Sequence, residues 1–443
     1  MISSALRSGL PRDYRPLFER RGPFRRLLPA FAVSDLGDGM SVVAVAWLAL
    51  QLAPPGGSGL LVGAAVAAYV LPGAAGGLLL GRWLRGLPAR RLIRADAWTR
   101  AVLLGCVPLA WALGVLGPAL YLALLAGSSL LHAWGSSAKY ALVAEAVPPG
   151  QRLAANVLLS TSTWVATVAG PALAGALAVA VAPAWLIGLD ALSFAVLAVL
   201  AVRSGRPDGR GEGREEEGRE DGVAAAVAPP AGPRRSGEGL RVLRTRPGLL
   251  GLLALTWLFN LFYGPVEVAL PLFVGQDLHA GPGLLGLYWT AFGLGAALGT
   301  LAVGALRRLP VWPMLLGIVA AHGLAMLPFA LHGPSWSSVV GFALAGVVYG
   351  PYSALALSLF QDGVPPAALT AVLALRASVL LTAGPVGTAL GGPLTAVLGP
   401  RQVLAGAGLA MAAVAVGAAV VRVRSLARGR IPSPAGLLRQ ETR

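Results

Sequence analysis

Twelve apolar blocks, each long enough to cross a lipid bilayer, make up most of this chain and leave it little alternative to an all-helical membrane fold. A membrane-crossing helix needs about 20 mainly apolar residues. The first half supplies blocks at 27–52, 60–80, 92–113, 119–140, 153–181 and 184–202. The second supplies 249–274, 284–306, 311–331, 339–359, 369–397 and 403–421. The blocks are continuous rather than alternating, so helices and not barrel strands are expected to satisfy their backbone groups in lipid. Only 12% of the residues are charged, against about 25% in a soluble domain. Lipid is therefore the expected solvent for this much apolar surface.

The charged residues fall between the blocks. A net charge of +16 would suit nucleic acid if the basic residues shared one folded face with aromatic residues. Here they collect in alternate connections, and no nucleic-acid partner is expected. Cytoplasmic connections gather Arg and Lys. Arg7, Arg12, Arg15, Arg20, Arg21, Arg25 and Arg26 precede the first block, and Arg82, Arg85, Arg90 and Arg91 follow the second. Arg307 and Arg308 follow the eighth, and Arg422, Arg424, Arg428 and Arg430 follow the last. The connections 53–59, 114–118 and 275–283 contain no Lys or Arg, and Arg401 is the one exception to the alternation. Both termini are therefore expected in the cytoplasm, with an even number of spans in the cell membrane.

The same pattern sets the boundaries. Residues 1–26 lack the apolar core of a cleavable signal and read as a cytoplasmic segment. Residues 203–248 are rich in Gly, Pro, Arg and Glu, with an acidic run at Glu215, Glu216 and Glu217. Such a segment buries too little apolar area to offset its ordering entropy. It is expected to be a disordered cytoplasmic linker between two six-helix bundles, 27–202 and 249–421, with a cytoplasmic tail at 422–443.

Several chemistries are excluded. Cys106 is the only cysteine, which rules out an intramolecular disulfide and a thiolate zinc cluster. His132, His279, His322 and His332 lie far apart, and the single lysine, Lys139, ends no glycine-rich phosphate loop. Without a nucleophile–base or metal constellation, neither an enzyme nor a metal or cofactor is expected.

The two halves echo each other. Gly77-Leu-Leu-Leu-Gly81-Arg82 follows the second block, and Gly299-Thr-Leu-Ala-Val-Gly304 with Arg307-Arg308 follows the eighth. Gly170-Pro-Ala-Leu-Ala-Gly175 lies in the fifth, and Gly384-Pro-Val-Gly387 with Gly391-Gly392-Pro393 in the eleventh. Matching motifs at matching places imply a duplicated unit, an arrangement that alternating-access transporters use around a midplane site.

Charges inside the blocks are the candidate functional groups, because each costs roughly 2.5–3.5 kcal/mol at a helix centre on insertion scales. Asp35 and Asp38 share a face of the first block and are candidates for carrying a proton, with a helix cap or structural pair as the alternative. Glu267 follows Asn260, Tyr263 and the breaker Gly264-Pro265, where a site and a structural role are equally open. Asp190 reads more as structural. Arg376 either snorkels to the cytoplasmic interface or faces an anionic substrate. His132 reads as a packing residue. Trp164, Trp257, Tyr288 and Tyr349, with Asn260, Tyr263 and Arg376, are candidates to line an apolar cavity.

Further stretches carry a family likeness. They are Ser34-Asp-Leu-Gly37-Asp38 in the first block, Arg94-Ala-Asp96-Ala-Trp-Thr-Arg100 opening the third, and Glu145-Ala-Val-Pro148 through Ala154-Ala-Asn156 leading into the fifth. Leu189-Asp190-Ala-Leu-Ser193-Phe194 in the sixth completes the set. With these motifs in this order the chain resembles the major facilitator superfamily, and within it the multidrug, macrolide and siderophore exporter branch. The resemblance implies the two-bundle fold and proton-coupled efflux of small hydrophobic or amphipathic compounds by a monomer. Its rivals are a lipid or siderophore translocator on the same scaffold and a membrane subunit of a separate enzyme or ATPase. One departure stands out. The family's loop usually reads Gly-x-Leu-Ala-Asp-Arg, and here Gly81 stands where the Asp belongs, before Arg82. The resemblance thus implies an altered cytoplasmic gate around Gly77, Gly81 and Arg82. Asp96 and Arg100, four residues apart on one helix, are expected to replace part of it.

Overall fold

The computed structural model describes residue 17 and residues 24–84, 87–148, 151–203, 233–302 and 310–427. Among them there is no strand. The helices of the first half are α1 (Phe24–Leu52), α2 (Ser58–Leu79), the single turn α3 (Gly81–Leu84), α4 (Ala89–Ala112), α5 (Pro118–Ser129), α6 (His132–Ala146), α7 (Arg152–Leu177) and α8 (Pro183–Arg203). Then follow α9 (Pro233–Arg244), α10 (Pro247–Leu272), α11 (Pro282–Leu301), α12 (Val311–Ala325), α13 (Ser335–Tyr349), α14 (Tyr352–Gly363), α15 (Pro366–Leu398) and α16 (Pro400–Ala427).

Among the described residues, ten helical stretches are long and apolar enough to span a bilayer, and they coincide with ten of the twelve sequence blocks. The third and fourth blocks are helical but fall short of that test. In α4, Asp96 and Arg100 dilute the apolar content. The fourth block divides into two short helices, α5 and α6, at Leu130–Leu131. The side chains of Ser128 and Ser129 turn back onto the carbonyls of Leu125 and Ala126 just before the break. Such back-bonding competes with the helical ladder.

The expectation of a disordered segment over 203–248 needs correcting at its end. Residues 233–244 form α9, which packs on α15. Composition hid this helix because its apolar contact is small. Leu243 is buried, and Gly239 lies so close to α15 that a Cβ there would meet the Ala371 carbonyl at 2.6 Å. Residues 204–232 of the expected linker, 1–16 and 18–23 of the N-terminal segment and 428–443 of the tail lie outside the described residues.

The helices group into two compact units, one drawn from Met1–Leu52 and Ala65–Pro229, the other from Ala53–Ala64 and Pro230–Arg443. Within the first, α1 packs on α7 and α8, and α4 packs on α8. Within the second, α10 packs on α15 and α16, and α12 packs on α16. The same ordinal pairs recur: first block with fifth, first with sixth, third with sixth. The closest approach recurs as well. A Cβ on Gly170 of α7 would lie 2.5 Å from the Gly39 Cα of α1, and one on Gly264 of α10 would lie 2.6 Å from the Gly387 Cα of α15. Side-chain carbons essentially never come within 3.0 Å, so these helices touch backbone to backbone. Close approach of this kind is how helices gain packing contacts in lipid, where hydrophobic association is lost.

Arg401, the exception to the charge alternation, is neutralised where it stands. Its guanidinium lies 3.3 Å from Asp277 and donates to the carbonyl of Leu331 at 2.6 Å.

Candidate functional site

In the first unit, the sequence motifs converge on one buried guanidinium. Arg100 of α4 is 1% exposed, and its Nη1 donates to Asp38 Oδ1 of α1 at 2.7 Å. Tyr69 of α2 donates its hydroxyl to the same oxygen at 2.8 Å. The guanidinium stacks over Phe194 of α8 at 4.4 Å and over Tyr69 at 5.3 Å. Asp96 does not pair with Arg100 in the way the four-residue spacing suggested. Its carboxyl lies against the backbone of α6, where a Cβ on Gly135 would fall 2.0 Å from Oδ2. Both Asp96 Oδ1 and Arg100 Nε are buried without a hydrogen-bond partner. A donor and an acceptor one turn apart are thus both unsatisfied.

Asp190 of α8 is 0% exposed. Its Oδ2 accepts from Ser41 Oγ of α1 at 2.6 Å, and Ser193 Oγ donates to its backbone carbonyl at 2.7 Å. Ser193 Oγ also lies 3.4 Å from Oδ1, so among the described residues hydroxyls, not a cation, bond this carboxyl.

Asp35 and Asp38 hold separate partners. Positions three apart on a helix are offset by about 60°, given 3.6 residues per turn. Asp38 turns to α2 and α4, whereas Asp35 turns to α6 and α7. There Lys139 Nζ donates to both Asp35 oxygens at 2.9 and 2.7 Å, and Thr163 Oγ1 donates to Oδ2 at 2.8 Å. Each carboxylate has its own cation. The signal for this was the presence of a single lysine inside an apolar block.

The second unit holds one carboxyl of a different kind. Glu267 of α10 is half-buried, and its Oε2 accepts from Thr388 Oγ1 of α15 at 3.1 Å. Among the described residues no cation pairs with it. Tyr263, one turn earlier, stacks on Tyr349 at 6.1 Å and approaches Phe292 at 5.9 Å. His322, which is fully buried, sits among these rings with Phe259 edge-on at 5.1 Å. Its Nδ1 lies 3.0 Å from the Ala345 carbonyl, and its Nε2 has no partner. The sequence reading passed over His322 because no second ligand stood near it in the chain.

The remaining candidates separate. Asn260 caps back onto the Thr256 carbonyl at 2.8 Å, and Trp257 donates to Thr382 Oγ1 at 3.0 Å, both on α10. Tyr288 is fully buried, hydrogen-bonded to Ser338, and packed among Phe273, Phe329 and Phe342. Trp164 stands exposed on α7. Arg376 of α15 stacks over Phe360 of α14 at 5.5 Å. His132 does not sit mid-helix but opens α6, 3.5 Å from Ser136 Oγ. Gly77 is buried against Ala133, while the side chains at Gly81 and Arg82 lie outside the described ones. No group of three metal-ligating side chains occurs among the described residues.

Against this geometry stand the known proteins it resembles. A model of the Major Facilitator Superfamily matches residues 27–388. The Multidrug efflux pump Tap of Mycobacterium tuberculosis is 29% identical over 415 residues, covering 92% of this chain and 94% of its own. The Uncharacterized MFS-type transporter y4rN of Sinorhizobium fredii is 27% identical over 411 residues, covering 91% and 96%. Among solved structures, a bacterial homologue of the iron transporter ferroportin in its inward-facing state superposes with a TM-score of 0.62 at 19% identity, over 89% of this chain and 98% of that one. A D-xylose-proton symporter superposes at 0.59 and 14% identity, over 89% and 96%. At those identities the structures speak for the fold alone.

Proposed function

The chain belongs to the Major Facilitator Superfamily, a family of membrane transporters and not of enzymes, and from that premise we propose that it exports small hydrophobic or amphipathic compounds from the cytoplasm in exchange for protons. The observation that carries the reading is Glu267. It is a half-buried carboxyl inside a spanning helix, held among the described residues by a threonine hydroxyl and bordered by Tyr263 and Tyr349. An ionised group deep in a membrane is costly unless paired. With no cation among the described residues to offset its charge, the state of Glu267 is set by proton uptake and release. The aromatic rings beside it offer an apolar, amphipathic surface of the kind small-molecule sites use.

The first unit supports the reading differently. Protonating Asp38 would free Arg100, whose open Nε and the open Asp96 Oδ1 provide its second seat. Asp190 ties α8 to α1 through Ser41 and serves packing. The efflux direction is supported by the likeness to the Tap pumps. Orientation with both termini in the cytoplasm is supported by the arginine alternation.

The test uses inverted vesicles loaded with no substrate and energised to an acidic interior. Amphipathic dyes should accumulate in vesicles holding the protein and leak out when a protonophore collapses the gradient. Accumulation indifferent to the protonophore would refute the proton coupling, and none with any dye of a broad panel would refute the export of such compounds.

A further inference from the structure

Among the described residues, Arg376 is a membrane cation without a counter-ion. It lies in α15, seven residues inside the block that begins at Leu369, which is about 10 Å along the axis at 1.5 Å per residue. Three other basic side chains lodged in spans or at their ends each have a carboxylate: Arg100 has Asp38, Lys139 has Asp35 and Arg401 has Asp277. Among the described residues none pairs with Arg376. Its Nε is buried with no hydrogen-bond partner. One face of the guanidinium is placed over the fully buried ring of Phe360, at 5.5 Å. Tyr352 is within electrostatic reach, but its hydroxyl is engaged by Thr256 Oγ1 at 3.0 Å. The side chain as a whole is half-buried, and its Nε is enclosed.

We propose that Arg376, with Phe360 as its platform, is an oxyanion-binding subsite of the second unit that takes a carboxylate, sulfonate or phosphate group. The chemistry follows from the guanidinium. It is planar and always charged, and its two outer nitrogens present parallel donors that match the two oxygens of such a group. An aromatic ring under one face fixes the plane and leaves the donor edge free. A bare guanidinium in an apolar span is costly, and an incoming oxyanion supplies both the missing charge and partners for donors that the fold leaves open. The proposal rests on the exporter reading for the source of the anion: it narrows the exported compounds to amphipathic molecules with an acidic group. A lipid headgroup phosphate offers the same chemistry.

The experiment measures binding, which needs no gradient and so stands apart from the exporter reading. The purified full chain is placed in nanodiscs of phosphatidylcholine and titrated with 1-naphthylacetate or its uncharged methyl ester. The wild type should bind the acid at least about tenfold more tightly, as expected for hydrogen bonds to a charged group. Arg376→Gln should lose that preference while binding the ester unchanged, and Arg376→Lys should keep part of it. Because Gln removes an unpaired charge, the variant is expected to fold with an undiminished melting temperature. In a second arm, phosphatidylglycerol replaces part of the lipid. If the natural anion is a headgroup, it raises the melting temperature of the wild type and not of Arg376→Gln, and the acid-over-ester preference shrinks. Wild type and Arg376→Gln behaving alike in both arms would overturn the subsite. Preference for the acid without any gradient-driven export would leave the subsite standing and defeat only the exporter reading.

Discussion

Replacing Asp35 with asparagine separates a structural ion pair from a proton-carrying one. In the wild type, Lys139 donates to both Asp35 oxygens, and the two side chains are only 10% and 17% exposed. Removing one partner of a buried pair costs about 3–5 kcal/mol because the other charge is left uncompensated. Partial exposure puts this site at the lower end, about 3 kcal/mol. Asparagine keeps one carbonyl acceptor, worth about 1 kcal/mol, so the net loss is about 2 kcal/mol, or about 30-fold in the folding equilibrium. The assay is reversible unfolding in mixed micelles for wild type, Asp35→Asn, Lys139→Met and the double variant. The double variant, which removes both charges, should recover to within about 1 kcal/mol of the wild type, giving a large coupling energy in the cycle. Additive single effects would refute the pairing. A transport pH profile displaced in Asp35→Asn with stability unchanged would instead make Asp35 a proton carrier.

Three further outcomes follow from the same geometry. Gly387→Val places a side chain where even a Cβ would lie 2.1 Å from the Leu261 carbonyl, so α10 and α15 must part, at a cost of about 1–3 kcal/mol or more; a melting temperature equal to wild type would contradict the close contact. Asp38→Asn mimics the protonated acid and should let Arg100 move to Asp96, a change readable as a new distance between labels on α1 and α4 of the first unit; adding Asp96→Asn should abolish that change, and persistence of it would refute the second seat. Reporter fusions at Gly218 and Arg430 should both report the cytoplasm, and a periplasmic signal at either would overturn the proposed orientation.

The fold was largely legible because its main instruction is redundant. Block length and continuity each point to spanning helices, and the Gly170 and Gly387 motifs point to the two close contacts at matching places in the halves. The break between α5 and α6 was not legible, because it depends on Ser128 and Ser129 bonding backward within an otherwise apolar run. Helix α9 was hidden in a linker-like composition because its packing on α15 is a tertiary contact that composition does not register. Within the candidate site, the importance of charges inside spans was readable from cost alone, but partner choice was not. Helical spacing suggested Asp96 with Arg100 and Asp35 with Asp38, whereas tertiary neighbours gave Arg100 to Asp38 and Lys139 to Asp35. Tyr288 was legible as an aromatic of a spanning block, but its packing against Phe329 and Phe342 was not.

The central claim is that a proton on Glu267 is exchanged for the exported compound. The direct measurement is simultaneous proton and dye flux in proteoliposomes holding wild type or Glu267→Gln at equal abundance. Glutamine keeps the shape and the Thr388 contact but cannot release a proton. The account predicts that wild type moves protons inward as dye moves outward. In Glu267→Gln, both gradient-driven fluxes should vanish while dye exchange between equal pools persists. Full proton-driven export by the glutamine variant would contradict it.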